Sequence, residues 1–154
     1  MLNKNEQKSL KKYTEESYEW INEYLLKDKG NKDIEQLVAV LSKLSNYERI
    51  TYRATCMSES ALKKYEEARQ NESYIIEPTF ISTSRSQLVA TGYMRYEKDK
   101  TRVLFEIAGT TGKSIEKYSK YPNEQEVLFA PNTRFSVDEI IYENNKVRIR
   151  LFEI

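Results

Sequence analysis

Residues 134–154, RFSVDEIIYENNKVRIRLFEI, read as two strand-like runs rich in β-formers, with Asn144-Asn145 supplying a hairpin turn between them. Working back from that hairpin, TRVLFEIA (101–108) and EVLFAP (126–131) have the same strand-like texture, so the second half predicts mostly antiparallel sheet. The texture changes at residue 48. ERITYRAT (48–55) and PTFISTS (78–84) are β-like, SESALKKYEEARQ (58–70) is helical with Ser58 or Ser60 as N-cap, and SQLVATGYMRY (86–96) is a short helix capped by Ser86. Before residue 48, Leu10, Tyr13, Trp20, Ile21, Tyr24 and Leu25 recur at near-helical spacing, which predicts a helix over about 6–28 with Gly30 as its stop. Ile34, Leu37, Val38, Leu41 and Leu44 mark a second amphipathic helix, and both helices are expected to be packing elements. Leading helices followed by a β-rich body argue an α+β domain. The 154 residues fit one domain, with leading helices over 1–47 and the body over 48–154.

Composition removes several function classes. Lys+Arg 25 against Asp+Glu 24 leaves a net charge of +1, so no basic field exists to draw nucleic acid. With no histidine and a single cysteine, Cys56, the chain cannot build an internal disulfide, the usual zinc sites or a histidine-based nucleophile pair. No metal is expected, and catalysis falls to carboxylates, hydroxyls, Arg and Lys. The N-terminal stretch MLNKNEQKSLKKYTEE is too polar for a signal peptide, and no run approaches the roughly 18–20 apolar residues of a membrane span. The chain is therefore expected to be cytoplasmic or to be delivered by a separate secretion system.

Three stretches concentrate chemistry. In YPNEQEVLF (121–129), Glu124 and Glu126 stand two apart at the start of a strand, which predicts side chains on one face roughly 7 Å apart. Like charges so placed raise each other's pKa and cost stability unless something binds there; the plainer reading is a solvated strand end. FISTS (80–84) sets Ser82 and Ser84 on one face and Thr83 on the other. ITYRAT (50–55) carries one arginine, Arg53, in a β-like run. Singly, each has an ordinary explanation.

In this order and together, the Arg53 strand, Ser82-Thr83-Ser84 and Glu124-x-Glu126 resemble the motif set of the arginine-serine-glutamate branch of the mono-ADP-ribosyltransferases. That branch includes binary actin-modifying toxins, clostridial Rho-modifying exoenzymes and vertebrate arginine-specific ectoenzymes. GKSIEKYSKYPNEQEVLFAPNTRFSV (112–137) is similar to the family's long segment around the two acidic positions, and the resemblance covers about residues 48–154. It implies an α+β fold of N-terminal helices and two packed, roughly perpendicular antiparallel sheets with an NAD cleft between them.

The resemblance also implies a division of labour. Glu126 would stabilise the oxocarbenium-like charge formed as nicotinamide leaves the ribose of NAD. Ser82 would hold Glu126, Arg53 would take the NAD phosphates, and Glu124 would pair with an arginine acceptor and help remove its proton. NAD as co-substrate would touch Arg53, Ala54, Ser82, Thr83, Ser84, Arg85 and Glu126. Ala54 replaces the glycine usual after the motif arginine. Tyr121, and more weakly Tyr118, would meet a protein target. The implied activity is transfer of ADP-ribose to an acceptor arginine on a protein, by a toxin or effector. RNA or a small guanidino compound stays open as acceptor, and NAD glycohydrolase and a catalytically silent binding module stay open as alternatives. Gly109–Ser114, GTTGKS, lacks the length of a phosphate-binding loop and is set aside.

Overall fold

The computed structural model describes residues 2–27, 32–92, 94 and 96–154, and for Glu16, Ser17, Glu19 and Trp20 the backbone alone; Gly30, the expected helix stop, lies outside them. Helix α1 (Lys4–Lys12) starts at a capping box, in which Asn3 accepts from the Glu6 amide and the Glu6 carboxylate accepts from the Asn3 amide. The single helix expected over 6–28 is instead three pieces. After α1 the backbone widens into a π turn, Tyr13–Ser17, and only then resumes as α2 (Tyr18–Leu26). Helix α3 spans Lys32–Ser42, α4 spans Glu59–Gln70 with Ser58 as its N-cap, and α5 spans Gln87–Gly92, where Ser86 accepts from the Val89 amide.

The strands are β1 (Ile50–Met57), β2 (Tyr74–Glu77), β3 (Ile81–Ser84), β4 (Thr101–Ala108), β5 (Lys113–Ser114), β6 (Glu126–Phe129), β7 (Thr133–Tyr142) and β8 (Val147–Glu153). The α+β class with leading helices is as expected; β2 and β5 are additional to the strands that the sequence pattern predicts. Hydrogen bonds link all eight strands in the order β2-β7-β8-β4-β1-β3-β6-β5. The β7–β8 hairpin closes over Asn144-Asn145 as its sequence predicts, with Tyr142 opposite Val147. Not every pair is antiparallel: β4 runs parallel to β8. The join between β1 and β3 rests on one register pair, Tyr52 opposite Ser84, whereas β1 and β4 match along their full lengths. A five-strand half and a three-strand half therefore meet at a narrow seam.

Period-two alternation on β6 divides the core. Val127 and Phe129 pack with α4 and with β4, β7 and β8, while Leu128 packs with α1, α3 and Phe80. The three-strand half thus has the larger sheet on one face and the N-terminal helices on the other. Glu126 shares the face of Leu128, so a carboxylate is turned toward helices.

The Gly109–Ser114 stretch has a structural role. Glu153 accepts from the Thr110 and Thr111 amides at 2.8 and 2.9 Å, so this loop closes on the protein's own carboxylate. A Cβ on Gly109 would stand 2.5 Å from Cζ of Phe129, which is fully buried and in edge contact with Phe135. Gly109→Ala is expected to lower stability by about 1–3 kcal/mol through overpacking, read as a lower denaturant midpoint at unchanged slope.

Candidate active site

On β3 and β6, Ser84 lies opposite Glu126 and Ser82 opposite Leu128, which puts Ser82, Ser84 and Glu126 on one face. Ser82 Oγ reaches diagonally across the pair and donates to Glu126 Oε2 at 2.7 Å. Thr83, on the other face, donates to the Val127 carbonyl at 2.7 Å, and Ser84 donates to the Glu124 carbonyl at 2.8 Å. The three consecutive hydroxyls therefore fasten three different points of the acidic segment: a carboxylate, a strand backbone and a turn backbone.

Glu126 is 5% exposed. Burial pushes its carboxyl up to about 7; the Ser82 hydroxyl and the Arg53 charge pull against that rise, and the Glu124 charge adds to it. The group thus titrates near neutrality, as a buried carboxyl awaiting a cationic partner does.

Glu124 is not on the strand. It ends a 3₁₀ turn, Pro122–Glu124, and Gln125 follows in the left-handed conformation at φ 48°, ψ 49°. That residue redirects the chain, so β6 begins at Glu126 and the expected side-by-side strand placement gives way to approach from a turn. Gln125 is held in this uncommon conformation from both sides. Its amide donates to the Pro122 carbonyl, and its carbonyl accepts from the Arg85 amide at 3.0 Å. Both glutamates nonetheless line one cavity of about 610 Å³, together with Arg53, Ala54 and the Ser82–Ser84 triplet.

Arg53 sits on β1 opposite Phe105, and its guanidinium crosses the seam to donate to the Ser82 carbonyl at 3.0 Å. The cation and the carboxylates thus come from opposite halves of the molecule. Tyr121 is exposed at the cavity edge. Two other sequence candidates sit elsewhere: the Arg85 guanidinium makes a two-pronged pair with Glu116, and Tyr118 packs against the helical core.

The leading helices do more than pack. Tyr13, Tyr18 and Asn22 form one wall of the cavity. Asn22 Oδ1 accepts from the Phe80 amide at 3.1 Å, which ties α2 to the entrance of β3, and the buried Tyr13 ring lies 5.4 Å from that of Phe80. The available sequence signal was Asn22 itself, a residue that competes with helical backbone placed in a helix interior.

Comparisons with known proteins bear on the family and the fold. A family model described as ADP-ribosyltransferase exoenzyme matches residues 1–152. Vis of Vibrio splendidus, which bears the name of an NAD(+)–arginine ADP-ribosyltransferase, is 31% identical over 94% of this chain. The NAD(+)–protein-arginine ADP-ribosyltransferase Tre1 of Serratia proteamaculans is 34% identical over 74% of it. The chain spans 63% of the length of Vis and 22% of that of Tre1. Among solved structures, Vis in complex with agmatine superposes with a TM-score of 0.82 at 27% identity, covering 100% of this chain and 76% of that one. The ADP-ribosyltransferase HopU1 of Pseudomonas syringae pv. Tomato DC3000 also reaches 0.82, at 17% identity over 97% of this chain and 76% of its own, and shows the shared fold.

Proposed function

The chain belongs to the ADP-ribosyltransferase exoenzyme family, and from that premise we propose that it transfers ADP-ribose from NAD to an arginine side chain of a protein, releasing nicotinamide. The observation that carries the reading is the buried Glu126, hydrogen-bonded by Ser82 and facing the same cavity as Glu124 and Arg53. A cavity of about 610 Å³ is within the range of small-molecule sites, roughly 300–1,000 Å³. Its residue types suit NAD: one guanidinium for phosphate oxygens, hydroxyls for ribose and amide groups, and a carboxylate for positive charge.

In this reading Arg53 anchors the phosphates and Ser82 fixes the orientation of Glu126. Glu126 stabilises the positive charge that develops on the ribose as neutral nicotinamide leaves. Glu124 pairs with the acceptor guanidinium and takes its proton as the guanidine nitrogen bonds to the ribose carbon. Tyr121, exposed beside Glu124, is placed to meet the target protein, and Ala54, Thr83 and Ser84 shape the NAD side of the cavity. Residues 1–154 act as one catalytic domain, because the leading helices supply a cavity wall. No helix of the described residues is long and apolar enough to cross a membrane, and we take the domain to act as a toxin or effector delivered into a target cell.

The test is nicotinamide release from NAD by the purified chain, with and without agmatine as an arginine mimic. Release stimulated by agmatine, with ADP-ribosyl-agmatine as product, is the expected result. Release indifferent to agmatine would instead indicate a glycohydrolase, and no release would indicate a binding module.

A further inference from the structure

We propose that Thr14, in the π turn of the N-terminal helices, is a positioning residue for the acceptor side of the site; the inference rests on the transferase reading. Its hydroxyl is buried and used twice. Thr14 Oγ1 donates to the Lys11 carbonyl at 2.7 Å and accepts from the Lys120 amide at 3.0 Å, a contact between residues 106 apart in sequence. The first bond fixes the direction of the hydroxyl, so its lone pair is presented to the loop in advance.

That loop runs into Tyr121 and the turn bearing Glu124. Two long-range anchors suspend it. One is Thr14 on the Lys120 amide; the other is the end of β3, where Ser84 holds the Glu124 carbonyl and the Arg85 amide holds that of Gln125. Between them Tyr121, Pro122 and Asn123 are exposed. Beside the first anchor, Lys120 Nζ stands 3.8 Å from Glu15 Oε1, an exposed pair that adds little by itself.

The π turn gives the arrangement its geometry. One extra residue in a helix rotates the remainder of that helix by roughly 100°, and such insertions recur at functional sites. Here Tyr13 lines the cavity and packs on Phe80, while Thr14, lining the same cavity, is bonded to the loop. Glu126 is held independently, by Ser82 and by its own strand. Loss of the Thr14 anchor should therefore disturb Glu124 and leave Glu126 in place.

The experiment compares wild type, Thr14→Val and Thr14→Ser, with agmatine as acceptor. Thr14→Val keeps the shape and removes both bonds. It is expected to raise the agmatine KM about five- to ten-fold, the scale of one net hydrogen bond, and to lower acceptor-free nicotinamide release by clearly less than that. Thr14→Ser should restore the KM. Hydrogen exchange at the Lys120 amide, which needs no activity, should quicken about ten-fold in Thr14→Val and return in Thr14→Ser. An unchanged agmatine KM in folded Thr14→Val, or a parallel loss of release and transfer, would overturn this inference alone. A wild-type chain that releases no nicotinamide would overturn the transferase reading and, with it, this role.

Discussion

Glu126→Gln is expected to lower nicotinamide release by at least about 10²- to 10³-fold, the scale of one preorganised electrostatic group, and at the same time to stabilise the protein above neutral pH. The two effects share one cause. Folding takes the carboxyl out of water and moves it from its ordinary 4.5 up to about 7. The folded state then holds the proton more tightly than the unfolded one, so stability falls as pH rises through that interval. Above it, the buried charge costs about 3 kcal/mol. Glutamine can still accept the Ser82 hydrogen bond but carries no charge at any pH. The difference in unfolding free energy between variant and wild type should therefore be small near pH 4.5 and widest near pH 8. In the wild type, kcat/KM for NAD should fall on acidification through about pH 7, as the required carboxylate is protonated. Near-wild-type release by Glu126→Gln would remove this residue from the mechanism; a flat stability difference would mean that the carboxylate is not desolvated in the folded protein.

Glu124→Gln is expected to separate two activities. Acceptor-free nicotinamide release should stay within a few-fold of wild type, while transfer to agmatine falls about 10²- to 10³-fold, the range for removal of a general base. The substitution is nearly isosteric, and the bond from Ser84 goes to the backbone carbonyl of residue 124, so the turn should survive it. What is lost is the carboxylate, which alone can pair with a guanidinium and accept its proton. Equal loss of both activities would refute a division of labour between the two glutamates.

The residues that converge on the cavity are legible because their chemistry is unusual for their setting: an arginine inside a strand, hydroxyls where a strand meets the core, and paired carboxylates beside an apolar run. Their three-dimensional approach is less legible. Gln125 adopts a left-handed conformation without the glycine that usually announces one, so the residue pattern starts the strand two residues early. The π turn interrupts α1 and α2 without breaking their apolar spacing, and that spacing by itself reads as a single long helix. Asn22 with Phe80 and Thr14 with Lys120 are contacts between distant segments, for which local periodicity carries no signal. Strand pattern likewise does not encode partner direction, which hides the parallel β4–β8 pair, and β5, at two residues, is too short to show a period.

The seam between β1 and β3 has a consequence for how this protein tolerates mutation. Arg53 and the glutamates stand on opposite sides of that seam, where the strands share a single register pair and the Arg53–Ser82 hydrogen bond, while Ile81, Val127 and Phe129 pack in one core with β4, β7 and β8. A methylene added or removed in that shared core costs about 1–3 kcal/mol, which a stable chain survives, and part of the strain is relieved by a small slip along the seam. The same slip changes the distance between the cation and the carboxylates, and a displacement of about 1 Å can cost 10²-fold in rate. Substitutions far from the cavity should thus impair turnover while leaving a well-folded chain, and a screen for folded protein alone would pass variants that have lost their chemistry.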